Sequence, residues 1–199
     1  GAPFYSSPLT TVAIEEGVTE IADRMFYNQK GIMNINFPST MKEIGENAFE
    51  GTSLKTVLFP STVEYIGDHA FGDIVTLTSI DVGSDLVTGK NAVYGSKNLV
   101  TINLKSGARK IVDGFLANTG ITEFVVPEGV EEIGKDAFSS NEQLTKIILP
   151  STLKTIGERA FSNTSLKEIV FPASMKTIPK GILENTQVEK IVLSEGVEE

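Results

Sequence analysis

A single unit recurs along this 199-residue chain, and its period constrains the fold more than any composition figure. Its clearest copy runs Ile-Ile-Leu-Pro-Ser-Thr-Leu-Lys-Thr-Ile-Gly-Glu-Arg-Ala-Phe-Ser-Asn-Thr-Ser-Leu, from Ile147 to Leu166. With Ile147 as phase zero, the same phase falls on Val12, Ile35, Val57, Ile80, Ile102, Phe124, Ile169 and Ile191, at spacings of 22 or 23. Two residues on lie Ile14, Phe37, Phe59, Val82, Leu104, Val126, Leu149, Phe171 and Leu193. Phase six is apolar throughout, from Val18 and Met41 through Leu86 to Val197. Phase nine holds Ile21, Ile44, Ile66, Ile111, Ile133, Ile156 and Ile178, with Gly89 as the exception. Phase fourteen holds Phe26, Phe49, Phe71, Tyr94, Leu116, Phe138, Phe161 and Leu183.

Phases zero and two alternate with outward residues, which is strand periodicity. Pro38, Pro60, Pro127, Pro150 and Pro172 follow at phase three; proline has no N–H to donate and ends the strand. Phases six and nine predict a second short extended or bent segment. Gly45, Gly67, Gly134 and Gly157 come next, where a backbone conformation that other residues resist is expected. The Ala-Phe pair then drives a ring into the core, and a polar turn such as Gly51-Thr52-Ser53 leads to the next strand. The extra residue of the longer units falls between phase fourteen and the next strand, so core spacing is held and the slack sits in a loop.

One unit is too short to bury its own apolar face. Stacking buries it, with the phase-zero strands in a parallel ladder about 4.8 Å apart. The chain therefore reads as one repeat solenoid over 12–199, eight full units and the start of a ninth. Residues 1–11 read as the tail of a preceding repeat, because Phe4-Tyr5-Ser6-Ser7-Pro8-Leu9 has the spacing of Phe161 to Leu166. Gly1 reads as a tag or processing scar. Neither end shows the polar cap that solenoids usually need, so the chain is expected to be cut from a longer array or to associate end to end. Two middle units, 80–121, are irregular: they lack the proline and carry Gly83, Gly89, Ala108, Arg109-Lys110 and Phe115-Leu116. Neutral drift that leaves the stack intact explains this, as does a local bend or widened groove that receives a ligand.

The pattern Leu-x-x-Ile-x-Leu-Pro-x-x-Leu-x-x-Ile-Gly-x-x-Ala-Phe at this period resembles the BspA-type, or Treponema pallidum-type, leucine-rich repeat. It departs from the common leucine-rich repeat in lacking the usual Asn of the strand-to-loop turn. The resemblance implies a curved solenoid, mainly β, with a parallel sheet on one face and short extended or 3₁₀ segments on the other. It also implies an exported or surface-displayed bacterial protein of a kind that includes binders of host matrix proteins, with no catalytic residues to carry over.

The chemistry-bearing residues are few. There is no cysteine, which removes disulfides, thiolate metal sites and cysteine nucleophiles. His69 is the only histidine and reads as a surface residue in a variable polar slot. Glu15-Glu16, Glu131-Glu132 and Glu198-Glu199 recur at solvent-facing phases and read as a solvated edge. No phosphate-cradling glycine loop, EF-hand loop or nucleophile elbow is present. Asn163-Thr164-Ser165 fits a glycosylation sequon, read as coincidence outside a eukaryotic source. The net charge of −9 argues against nucleic acid and against simple electrostatic binding to anionic lipid. No apolar run is long enough for a transmembrane helix, so no direct membrane insertion is expected. No cofactor, metal or enzymatic activity is expected.

The outward rows of the main strands are the remaining candidates. Phase one reads Ala13, Asn36, Leu58, Asp81, Asn103, Val125, Ile148, Val170 and Val192, aliphatic from Val125 onward. Beside it, phase minus one ends Glu123, Lys146, Glu168, Lys190. These residues mark either ordinary cross-strand packing or an apolar stripe with a charged rim that contacts an extracellular protein or glycan. Leu58, Val125, Ile148, Val170, Val192, Glu123, Lys146, Glu168 and Lys190 form the expected partner-binding set. The alternative is a structural spacer or assembly segment.

Overall fold

The short strands, five of the nine main ones followed by proline, produce a stack of strands and turns with no helix among the described residues. The computed structural model describes residue 4 and residues 8–82, 87–104 and 107–196, with Val87 described in its backbone only. Gly1, Tyr5 to Ser7, Gly83, Leu86, Val197, Glu198 and Glu199, all singled out above, lie outside these residues.

Nine main strands carry phases zero and one: β1 (Thr11–Ala13), β3 (Asn34–Asn36), β5 (Thr56–Leu58), β7 (Ser79–Val82), β9 (Thr101–Leu104), β11 (Glu123–Val125), β13 (Lys146–Ile148), β15 (Glu168–Phe171) and β16 (Lys190–Leu193). Seven two-residue strands form the second face: β2 (Glu20–Ile21), β4 (Glu43–Ile44), β6 (Tyr65–Ile66), β8 (Val87–Thr88), β10 (Lys110–Ile111), β12 (Glu132–Ile133) and β14 (Thr155–Ile156). All pairs are parallel and join equivalent residues of successive units, such as Val12 to Ile35 and Ile133 to Ile156. The second face is therefore extended, and no 3₁₀ helix occurs among the described residues.

The main ladder is not continuous. It pairs β1 with β3, β5 with β7 and β9, β11 with β13, and β15 with β16. The second ladder runs unbroken from β2 to β8 and from β10 to β14. Between β3 and β5, and between β9 and β11, only the second ladder pairs, and between β13 and β15 neither does, although turn bonds such as that from the Phe161 N–H to the Ile182 carbonyl still link the units. Between β7 and β9 only the main one pairs.

Between the two ladders lies one hydrophobic core. The phase-fourteen rings form a spine: Phe4 on Phe26, Phe26 on Phe49 and Phe49 on Phe71, with centroids 5.5, 5.1 and 5.2 Å apart. It resumes with Phe138 on Phe161 at 5.5 Å. Such stacked pairs each add about 0.5–1.5 kcal/mol beyond their buried area.

The fourth unit departs from the expected register. Thr88, not Gly89, pairs with Ile66, and Gly89 takes the place of Gly67. The N–H of Phe71 donates to the Ala92 carbonyl as that of Phe49 does to Ala70, both at 2.8 Å. Val93 therefore fills the ring position and is buried, while Tyr94 turns out to solvent. The first half of this unit is one residue short. Its loop from Val93 to Leu99 is one residue longer than that from Phe49 to Leu54, and the two changes cancel in the period.

The glycine expectation also needs correction. Gly45, Gly67, Gly89, Gly134 and Gly157 do not have positive φ. A Cβ on each would lie 2.3–2.6 Å from a backbone N of the preceding unit, so glycine is required for close approach. The left-handed conformation falls instead on the slot of His69. Arg24, Asn47, His69, Asn91, Gly114, Asp136, Arg159 and Gly181 all have φ between 53° and 69°. Asn, Asp and Gly tolerate that region best, which accounts for the variable polar column.

Candidate sheet-face surface

A strand of three residues exposes its first and third side chains and buries its second. Val12, Val57, Phe124 and Ile147 are buried at phase zero while their neighbours face out. Leu58, Val125, Ile148 and Val170 are 71%, 63%, 46% and 47% exposed, large fractions for aliphatic side chains on strands. Val125 stands directly opposite Ile148, and Val170 opposite Val192. Val192 is only half-buried, because pairing with β15 covers it on one side. The inward residues of the same strand, Ile191 and Leu193, are 52% and 50% exposed, since no described repeat stacks on them.

Glu123, Lys146, Glu168 and Lys190 are all exposed and lie along one edge of this stripe. They pair among themselves. Lys190 Nζ lies 2.7 Å from Glu168 Oε1, and Lys146 Nζ lies 4.0 Å from Glu123 Oε2. Exposed pairs of this kind contribute little to stability, so their effect is to neutralise the rim. Leu58 stands apart from the stripe, on β5, between Asn36 and Asp81. From β1 to β9 the outward rows are, apart from Ala13, Leu58 and Asp81, polar and uncharged: Thr11, Asn34, Asn36, Thr56, Ser79, Thr101 and Asn103. The face thus divides into a neutral polar half and an aliphatic half.

The other chemical candidates are occupied in the stack. The His69 ring is half-buried, with Nε2 3.3 Å from Asn91 Nδ2 and its edge against Tyr94. Glu16 accepts the N–H and the hydroxyl of Ser39, both at 2.9 Å, and these hydrogen bonds hold its carboxyl below the usual range. Glu131 lies 2.6 Å from Lys154 and 2.7 Å from Arg109, whose contacts likewise lower its pKa. Lys110 pairs with Glu132 at 2.6 Å. Among the described residues no group of three His, Cys, Asp or Glu side chains is placed to hold a metal ion. None of their helices is long and apolar enough to cross a membrane.

A polar column inside the turns escapes a reading of the turns as merely polar. Gln29, Thr52, Ser96, Thr119, Asn141 and Thr164 are buried at one repeat position, interrupted by Ile74. Asn141 clamps two units: its Nδ2 donates to the Leu116 and Phe138 carbonyls, and its Oδ1 accepts the Thr119 N–H, each at 2.8 Å. The signal in the sequence is a small or amide residue three places after each ring.

The BspA type leucine rich repeat region matches the chain in six copies, over residues 2–118 and 109–199. No curated protein matches it. A leucine-rich repeat protein of Bacteroides ovatus is similar in structure, with a TM-score of 0.79 and 20% identity over 96% of this chain and 62% of that one. One of Eubacterium ventriosum has a TM-score of 0.53 and 17% identity over 96% and 75% of the two chains. A leucine rich cell surface protein of Faecalibacterium prausnitzii has a TM-score of 0.47 and 22% identity over 94% and 60%. The chain thus spans about three fifths of the length of the Bacteroides and Faecalibacterium proteins. With the stacked Ile-Gly-x-x-Ala-Phe units and the family match over nearly all residues, the chain belongs to the BspA-type leucine-rich repeat family.

Proposed function

We propose that this chain is a non-enzymatic binding and adhesion module of a bacterial surface or secreted protein, contacting an extracellular protein or glycan through its sheet face. The observation that carries the reading is the exposure of Val125, Ile148 and Val170 in one aliphatic row. Single exposed apolar residues are ordinary, but a row across three neighbouring strands is the kind of surface that partners cover. The neutralised Glu-Lys rim lowers the desolvation cost of such a contact without attracting any particular charge. Extracellular placement rests on the family's habit, and the similar solved structures come from bacteria.

The test is retention on immobilised host extracellular proteins and glycans. Selective, saturable binding to at least one supports the reading. Uniform lack of binding, or a metal-dependent or inhibitor-sensitive turnover by the pure chain, contradicts it.

A spacer or assembly role is the second reading: each unit's apolar face is covered by the units stacked on it, so an array of this kind can join further repeats or another copy end to end. Light scattering separates the two: a stable monomer supports a binding module, and growth with concentration supports assembly.

A further inference from the structure

The irregular repeats concentrate their departures at one place. Five close-approach glycines let the second ladder close, and each donates its N–H to the preceding unit, as Gly134 does to Ile111 at 2.7 Å. In the fifth repeat that position is Val112, and no bond runs from its N–H to Thr88. Valine's Cβ alone would lie about where a glycine's added Cβ clashes with backbone. The alanine of the Ala-Phe pair is likewise replaced, by Phe115, and the bond from the Val93 N–H to the Phe115 carbonyl is missing. Strands β8 and β10 consequently do not pair. The aromatic spine lapses here as well, with Val93 and Leu116 in place of rings. A cavity of about 20 Å3, room for about one water, opens between Val82, Thr88, Leu104, Ile111 and Phe115.

On the main face the break comes one step later. Strand β9 pairs with β7 but not with β11, and its inward residues Ile102 and Leu104 are only half-buried. The fifth repeat is therefore joined to the fourth by the main ladder but not the second, and to the sixth by the second ladder but not the main, with turn bonds crossing both junctions.

We propose that the fifth repeat, residues 102–121, is a joint between the repeats before it and the repeats after it, paired with each on a different face. Movement at this joint changes the angle between the neutral polar half of the sheet face and its aliphatic half. A partner that spans both halves is met by a surface that adjusts its curvature. The turn bonds from Asn91 to Asp113 at 3.0 Å and from Gly95 to Ala117 at 3.2 Å cross the junction and limit the range. The joint is independent of which partner the face binds.

Two measurements on the intact chain decide it. The absence of cysteine lets spin labels be placed uniquely, at Asn34→Cys and Lys146→Cys, five junctions and roughly 24 Å apart. Their distance distribution is expected to be broad and to narrow by roughly a third or more when Val112→Gly lets the second ladder close. Hydrogen exchange of the unsubstituted protein gives the second readout. The junction amides of Asn91 and Gly95 are expected to exchange roughly ten-fold faster than Asp136 and Ser140, which make equivalent bonds inside the following stack. Equal widths in the two proteins, or equal exchange at the two pairs of amides, overturns the proposal. If Val112→Gly fails to fold, the exchange comparison decides alone.

Discussion

At the residue scale, the buried polar column separates groups that stabilise from groups that do not. Asn141 satisfies both its donor and acceptor groups across two units, whereas Thr52 Oγ1 is buried with no partner. Asn141→Leu is expected to cost on the order of 3 kcal/mol, because several backbone groups lose their partner at once. Thr52→Val is expected to be neutral or slightly stabilising, and urea unfolding of both variants checks the contrast. Glu50 offers a pH test. Burial raises its carboxyl pKa, His69 and Arg24 oppose the shift, and Asp73 adds to it. The folded pKa lies above the unfolded one, so the ionised form costs stability at neutral pH. Glu50→Gln is therefore expected to stabilise the protein at pH 7. The gain should fade as pH falls through the folded pKa towards the unfolded one, which denaturation at about pH 7 and about pH 4 would show. Read alone, the sequence places His69 in a variable polar slot and does not single out Asn141; the half-burial of one and the full burial of the other depend on neighbours 22 residues away.

At the element scale, the ladders were legible and their interruptions were not. The recurrence of Ile and Phe, with Pro after five of the nine main strands, specifies strand, core and stop, because the same positional demand returns from unit to unit. The fourth unit misleads: a deletion before Thr88 and a longer loop after Val93 leave its period unchanged, so Tyr94 falls on the ring phase by counting alone. Only pairing with Ile66 shows that Val93 is inside. The glycine column makes a prediction at this scale. An alanine Cβ at Gly134 would sit 2.5 Å from the Asp113 N, a backbone atom that cannot rotate away. Gly134→Ala is expected to cost about 2–3 kcal/mol and to lower exchange protection along β10 and β12. Gly129 has φ of 99° and open space around its Cα, so Gly129→Ala is expected to cost only about 1 kcal/mol of backbone strain. A calorimetric ranking with the two reversed would contradict the close-approach account.

At the scale of the whole molecule, the stack assigns most large apolar residues to the core; of those left exposed, some, such as Val75 and Val100, lie singly, while Val125, Ile148 and Val170 form an aliphatic row. Alternation along the strands predicted that row at Leu58, Val125, Ile148, Val170 and Val192. The structure shows Leu58 isolated and Val192 half-covered, which concentrates the surface on β11, β13 and β15. What the sequence could not supply is the partner, because the face carries no catalytic or ligand-specific group. The most direct measurement is the affinity of the Ile148→Asp, Val170→Asp double variant for whichever extracellular protein or glycan the unsubstituted chain retains. Two buried charges in the contact are expected to weaken binding at least about 100-fold. Since both side chains are exposed, the midpoint of thermal unfolding should stay within about 5 °C. Unchanged affinity in a folded variant, or unfolding of the chain by these two substitutions, would contradict the sheet face as the contact surface.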